Sequence, residues 1–317
     1  MRAAVIRLIL YRVLWSIPLL WVVSALTFVL VSLVPGNVAQ AILGGDASAA
    51  QMSSLRTQLG LGQPLWEQYW HWLDQAVRGN LGTSLVTGQS VSSMLGSRLT
   101  VSLTLIIGGM LVACVTGVLL GVWAATRGGL LSRVVEAGSV LGLAVPNFWL
   151  ALVLIELFAV LVRIFPATGF VPLGQDPGQW ALSLVLPVLA ISAVGVTIIA
   201  AQTRDSMLDV LRRDFVRVLE ANGIPRRSVV YRHALRNAAI PVVTVIGVTF
   251  VSLLGASVLV ESVFALPGLG NGLTTAASQH DIPVIQGAVL YFTLVVVAVN
   301  LLVDLAYGIL NPRVRAS

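Results

Sequence analysis

Apolar residues run along this chain in long stretches, and polar residues collect between them. A helix needs about 20 mostly apolar residues to cross a bilayer. Six stretches meet that length: Val13–Val34, Thr100–Ala125, Val135–Val162, Ala181–Ala201, Ala238–Val260 and Val284–Gly308. The pattern predicts an all-α membrane protein of about six transmembrane helices. The first stretch follows Arg2, Arg7 and Arg12 and is longer than the roughly 7–15 residues of a signal-peptide core, so it reads as a retained first helix. Arginine bias places both termini in the cytoplasm. The loop at Arg127 and Arg133, the segment Arg204–Arg236 and the tail at Arg313 and Arg315 fall on the same side, and the arginine-poor segments after the third and fifth stretches fall outside.

The polar intervals carry patterns of their own. From Pro35 to about Arg98 the chain predicts two short helices, one from Asp46 through Gln51 to Leu59 and one from Pro64 to Arg78. Pro64 suits a first helical turn and Gly79 a C-terminal cap. Trp66, Tyr69, Trp70 and Trp72 fit an interfacial aromatic belt. Two readings stay open for this segment: a surface that meets an external partner, or a helix resting on lipid headgroups.

The interval Arg204–Arg236 holds eight of the chain's 19 cations. Met207, Leu208, Leu211, Phe215, Val218 and Leu219 recur at helical spacing against the arginines, which predicts an amphipathic helix. Asp205 and Asp209 lie early in it, where the helix dipole favours carboxylates. Gly223 interrupts it with a residue that permits a left-handed turn. Pro225 then opens a second helix bearing Arg226, Arg227, Tyr231 and Arg232. This shape suits docking into a groove on a partner; the other reading is a surface helix held by anionic lipid.

Composition sharpens the class. Hydrophobic residues make up 57% of the chain and charged residues 10%, against roughly 25% charged in soluble domains. The net charge of +6 does not indicate a nucleic-acid partner, because the arginines flank apolar stretches as cytoplasmic anchors do. Lysine is absent, so there is no phosphate-binding G-x-x-x-x-G-K-[ST] loop, and the chain does not hydrolyse ATP by that route. No cluster has metal-ligand spacing, and no catalytic residues are predicted. The lone Cys114 reads as packing.

A few polar groups fall within the apolar stretches. Glu156 is an intramembrane carboxylate, a functional hypothesis by default, with Arg163 seven residues on at about the same helical face. It either lines a pathway or is buried and paired against another helix. Pro146-Asn147 predicts a break whose freed backbone groups neighbours satisfy, and Asn147 either faces a pore or marks a kink. Ser252 and Ala256 have small-x-x-x-small spacing, with Gly247, Gly255 and Ser257 nearby, which favours close helix packing over substrate contact. Glu261 and Asp304 lie near predicted span ends, where carboxylates reach water.

The segment Arg232-His233-Ala234-Leu235-Arg236-Asn237-Ala238, following a basic helix and Gly223 and preceding Pro241, resembles the EAA loop of binding-protein-dependent ABC transporter permeases, in the form found in the dipeptide/oligopeptide (peptide/nickel) subfamily. Leu254 to Gly270, Asn300 to Arg313, Leu33-Val-Pro-Gly36, Leu59-Gly-Leu-Gly-Gln-Pro64 and Gly79-Asn-Leu-Gly-Thr-Ser-Leu85 are similar to the stretches that flank that loop and open the chain in the subfamily. Arg217-Val218-Leu219 stand at the E-A-A positions, with Leu219 where the family has a small residue.

The resemblance implies the type I importer (MetI-like) fold. It implies an N-terminal helix and external segment over 1–96, a permease core over 97–308 containing the coupling loop at 204–236, and a cytoplasmic tail at 309–317. It implies a multi-pass protein of the bacterial inner membrane with a second, homologous permease subunit in a heterodimer, two cytoplasmic ATPase subunits and an external substrate-binding protein. ATP and Mg would bind the ATPase partners, with no cofactor in this chain. Arg217, Glu220, Ala221, Gly223, Arg226, Arg227, Arg232, His233 and Arg236 are then the candidate coupling residues. Asn147, Glu156, Ser252, Ser257 and Glu261 are the pathway candidates. Small peptides are the expected cargo, nickel or another small solute the alternative. A proton-coupled secondary transporter with Glu156 as relay is the competing class.

Overall fold

The computed structural model describes residues 2–33, 48, 50, 51, 53 and 62–310. The expected helix from Asp46 to Leu59, the motif at Leu33–Gly36 and the arginines of the tail lie wholly or mainly outside them. Helix dominates the described residues, and none forms a β-strand. In chain order the helices are α1 (Arg2–Ser32), α2 (Leu65–Val77), α3 (Val91–Arg127), α4 (Gly129–Ala144), α5 (Asn147–Leu154, continued as π-helix over Ile155–Leu161), α6 (Pro177–Leu211), α7 (Asp214–Ala221), α8 (Arg226–Val263, with a π-helical turn at Val229–Ala234), α9 (Leu269–Ser278) and α10 (Ile282–Leu310).

Five of these, α1, α3, α6, α8 and α10, are long and apolar enough to cross a membrane. The remaining apolar stretch, Val135–Val162, is not one continuous helix. It divides at Val145–Pro146 into α4 and the short apolar helix Asn147–Leu161. Pro146, extended at φ −65° and ψ 138°, stands as the N-cap of α5; proline has no N–H to continue a helix and pushes the residue before it out of the helical region. The break expected there is present, and it costs the stretch its continuity.

The described residues gather into two compact units. The larger is built on Leu103–Leu266. Within it α3 crosses α6 closely, where Gly109, Ala113, Gly117 and Gly121 recur every fourth residue along α3. Cβ atoms at the three glycines would press on Ile191, Ile199 and Thr203 of α6, and one at Gly195 of α6 would press on Ala113. Small residues in one row let two backbones approach closely, the usual way membrane helices gain contact area without a hydrophobic driving force. α4 joins through Val135, which packs with Ala124 and Ala200, and Gly142 sits against Thr197.

The smaller unit takes in described parts of Tyr11–Ser102 together with Pro267–Val297. Its core sets Leu81, Val91 and Leu95 against Leu269, Ala276, Val284 and Ala288. A tight loop closed by an antiparallel bridge between Thr83 and Ser90 precedes α3. The buried Asp281 holds that loop: its carboxylate accepts from the Ser84 hydroxyl at 2.5 Å and from the Leu85 N–H at 3.1 Å. Ser102 accepts the Leu269 N–H at 2.7 Å, and Arg98 donates to the Gly268 carbonyl at 3.3 Å, so the start of α9 is tied to α3 through side chains. In α2, Pro64 caps the N-terminus and Gly79 follows the last turn at φ +83°, as the sequence predicts.

Candidate coupling surface and membrane pathway

The interval 204–236 is mostly helix. α6 continues through Arg204–Leu211 beyond its apolar stretch, and α8 starts at Arg226. The single amphipathic helix expected from Arg204 to Gly223 is two helices, broken at Arg212–Arg213, where Arg213 turns extended at φ −73° and ψ 147°. Burial supplies the reason. At ~100° per residue, Val216 would face away from Met207 on an unbroken helix, yet both are buried. The break turns α7 over, so Val216 is 3% exposed and Val218, expected on the apolar face, is 57% exposed.

α7 ends in a paired turn. The Gly223 N–H donates to the Glu220 carbonyl at 3.0 Å and the Ile224 N–H to the Leu219 carbonyl at 3.2 Å, with Gly223 at φ +75°. This is the Schellman arrangement, in which the residue after the cap takes a left-handed backbone that glycine adopts freely. Leu219 is half-buried and contributes its carbonyl to the cap. Pro225 then caps α8, accepting the Ser228 and Val229 N–H groups at 2.8 and 3.1 Å.

The side chains singled out for coupling lie mainly on the outside of this construction. Arg217, Glu220, Ala221, Arg226, Arg227, Arg232 and Arg236 are exposed, as is Gly223, and His233 is half-buried in the π-helical turn. Arg217 meets Asp214 at 3.4 Å and Arg213 meets Asp209 at 2.8 Å, both between exposed side chains; such pairs contribute little on their own. The structure therefore presents the arginines to solvent. Behind them, Val122 of α3, Met207 and Val210 of α6 and Val230, Ala234 and Ala238 of α8 form one buried cluster. The turn–helix–turn joins α6 to α8 and touches the π-helical turn of α8, and the ends of these two helices share that cluster with α3. Beside it, Gln202, Asp205, Asp209, Arg213 and Asn237 line a groove of about 290 Å³.

Arg204 has a different setting. Its side chain is 18% exposed and reaches across to α4, with Nε donating to Ser132 Oγ at 2.6 Å and Nη2 to Glu136 at 3.2 Å, while Nη1 meets Asp205 at 2.8 Å. Sequence reading counted Arg204 among the basic residues of a loop and missed this role. Ser132 and Glu136 one helical turn apart on α4 were the available signal.

The pathway candidates do not form one lining. Ser252 lies on an exposed stripe of α8 with Thr244, Val248, Gly255 and Leu259. Gly255 meets nothing within reach of a Cβ, whereas Gly247 packs on Val303, so close packing within the chain falls at Gly247 and not at Ser252. Ser257 is buried and donates to the Leu254 carbonyl at 2.9 Å. Glu261, expected to reach water, is fully buried with Ser257 on the other face of α8 and keeps a partner within the chain. Asp304 is half-buried. Asn147 opens α5, and its buried Oδ1 meets no hydrogen-bond donor among the described residues. Glu156 is exposed in the first turn of the π-helix, so it is not buried against another helix of this chain. Arg163 does not share its face: the helix ends at Leu161, and Arg163 stands beyond it at φ +58°. π-helical turns are rare and concentrate at functional positions; here one carries Glu156 and the other His233.

Comparison with known proteins decides what this architecture belongs to. The family model described as the binding-protein-dependent transport system inner membrane component matches residues 117–316, and its N-terminal companion matches residues 5–106. The chain belongs to this family. The permease is 39% identical over 309 residues to a peptide transport system permease protein of Brucella abortus, covering 97% of this chain and 98% of the relative. It is 37% identical over 308 residues to a peptide ABC transporter permease protein of Sinorhizobium fredii, again covering 97% and 98%. It is 39% identical, over the same shares, to the glutathione transport system permease protein GsiC of Escherichia coli K12. The chain is thus a multi-pass protein of the inner membrane and a permease of the ABC importer class, with the MetI-like membrane domain that its helices build.

Proposed function

We propose that this permease passes small peptides across the inner membrane, as one of two homologous but non-identical membrane subunits. An external binding protein delivers the peptide, and two ATPase subunits on the cytoplasmic face dock against residues 212–236. Relatives matching nearly the whole chain are named for peptide and for glutathione transport, and glutathione is itself a short peptide. That supports peptides over nickel as cargo. ATP and Mg belong to the ATPase partners in this reading.

The observation that carries the coupling role is the mounting of α7. A short helix with exposed apolar and basic side chains is capped at a left-handed glycine, buries Val216, touches the π-helical turn of α8, and links α6 to α8, whose ends share one buried cluster with α3. A displacement of α7 acts first on α6 and α8, which it links, and reaches α3 through the cluster that the three ends share. Only a partner that binds one arrangement better than another can drive such a switch, and a docked ATPase supplies that difference through ATP.

Gly223 provides the test. A Cβ there meets nothing within 4 Å, so substitution tests backbone conformation and not space. Valine in the left-handed region costs roughly 1–3 kcal/mol, enough to refold the turn, whereas asparagine tolerates it. In the assembled transporter, Gly223→Val keeps membrane insertion and ATP hydrolysis but loses uptake on the order of tenfold, equivalent to roughly 1.4 kcal/mol. Gly223→Asn keeps uptake. Undiminished uptake by Gly223→Val removes the coupling role from this turn. Uptake that survives ATP depletion but not an uncoupler replaces the whole reading with proton coupling.

A further inference from the structure

α2 divides its surface three ways. At ~100° per residue, Glu67, His71, Asp74 and Gln75 share a polar side. Tyr69, Trp72 and Ala76 make the adjoining apolar stripe, and it is covered: Trp72 and Ala76 pack on the core of the smaller unit, and Tyr69 is buried. A second apolar stripe holds Trp66, Trp70 and Val77, and it is bare, with exposures of 63%, 53% and 81%.

Tyr69 shows where α2 lies along the first span. Its ring meets Phe28 edge-on at 5.5 Å between centroids. Its hydroxyl lies 2.9 Å from Ser24 Oγ and donates to the Trp21 carbonyl at 3.3 Å. The side chain therefore runs along α1 away from its C-terminal end, and α2 itself lies beside the last turns of that helix. Phe28 is four residues from the end of α1, about 6 Å at the helical rise. α1 is one of the helices that cross the membrane, so its last turns stand in the zone between hydrocarbon and headgroups. Val29 and Leu30 of α1 are themselves exposed there.

We infer that α2 is an interfacial helix whose Trp66–Trp70–Val77 stripe is seated in the lipid of the leaflet where α1 ends. The polar side, with His71 and Asp74, faces water. Tryptophan is favoured at that depth because its ring is apolar and its N–H is not. A helix with one charged side and one aromatic–aliphatic side lies in the plane of the interface. A landing site for an external protein would instead leave this stripe in water whenever that protein is absent, an apolar exposure that soluble surfaces avoid. The segment after the first span thereby anchors the smaller unit to the bilayer surface.

The single cysteine makes the test direct. In a Cys114→Ala background, nitroxide is attached at Trp70→Cys or Val77→Cys on the bare stripe, and at His71→Cys or Asp74→Cys on the polar side, in the full chain in lipid nanodiscs. Oxygen, which concentrates in lipid, dominates spin relaxation at 70 and 77, and an aqueous nickel chelate dominates at 71 and 74. Val77 is the last residue of α2 and nearly fully exposed, so its variant reports even where loss of Trp70 perturbs the helix. Chelate access at 70 and 77 equal to that at 71 and 74 overturns the proposal. So does exclusion of both reagents from the stripe, which means that protein covers it.

Discussion

A Cβ at Gly121 would stand 2.5 Å from Thr203 Cβ and 2.6 Å from the Ala200 carbonyl oxygen. A carbonyl oxygen in a helix cannot rotate away as a flexible side chain can. Overpacking a close contact costs typically 1–3 kcal/mol, and here both helices must part to relieve it. Gly121→Val should lower resistance to thermal or denaturant unfolding in detergent by at least ~1 kcal/mol. Gly255→Ala, placed where a Cβ meets nothing, should stay within about 0.5 kcal/mol of the parent. Equal stability of the two variants would mean that the α3–α6 contact is not tight. The four-residue period of small residues from Gly109 to Gly121 was present in the sequence all along. Hydropathy measures how apolar a stretch is, and small residues at one phase do not change that average. Burial at Glu261 escaped for a related reason: distance from a span end says how deep a residue lies, not which face it occupies.

At the level of elements, hydropathy located every long helix, and most of their C-terminal ends to within a few residues, but misjudged where α6 stops and where α1, α3 and α8 start. Apolar stretches end where lipid ends, whereas a helix continues as long as its backbone bonds can be made. α6 and α8 accordingly extend into the charged interval. The turn at Gly223–Pro225 was legible, because those two residues have restricted or special backbone preferences. The break at Arg212–Arg213 was not, since it follows from burying Met207 and Val216 at once and no local residue type marks it. α4 offers a test at this scale. It hangs between Gly128 and Gly129, both left-handed at φ +63° and +64° with open space around them, and Pro146 at its other end. Arg204 supplies its polar tie to α6, through Ser132 and Glu136. Local opening draws on few buried contacts and unsupported backbone. Arg204→Gln should therefore raise amide hydrogen exchange across 129–144 by about tenfold, the equivalent of one charge-assisted hydrogen bond of ~1.5 kcal/mol, with α3 and α6 unchanged. Uniform exchange rates in variant and parent would show that α4 is held by packing alone.

For the whole molecule, the packed end formed by α3, α6 and α8 fixes which connections share a side of the membrane. Val122, Met207, Val210, Val230 and Ala234 meet in one cluster, so the turn at Gly128 and the turn–helix–turn at 212–225 lie at the same end of the larger unit. At the other end of α8, the Gly169 N–H donates to the Phe264 carbonyl at 2.9 Å, which places the connection after α5 opposite. Arginine is distributed to match. Arg127 and Arg133 and the eight arginines from Arg204 to Arg236 belong to the first end, while Arg163 alone stands between α5 and α6. Positive residues resist transfer across the membrane and set orientation, so the first end should be cytoplasmic, where an ATPase can reach α7. In a Cys114→Ala background, cysteines introduced at Gly128 and Gly223 should resist a membrane-impermeant maleimide in intact spheroplasts and react once the membrane is opened. A cysteine at Gly174, in the connection before α6, should react in both. Labelling of Gly223→Cys in intact spheroplasts would place α7 outside, beyond the reach of any cytoplasmic motor, and the coupling role would fall with it.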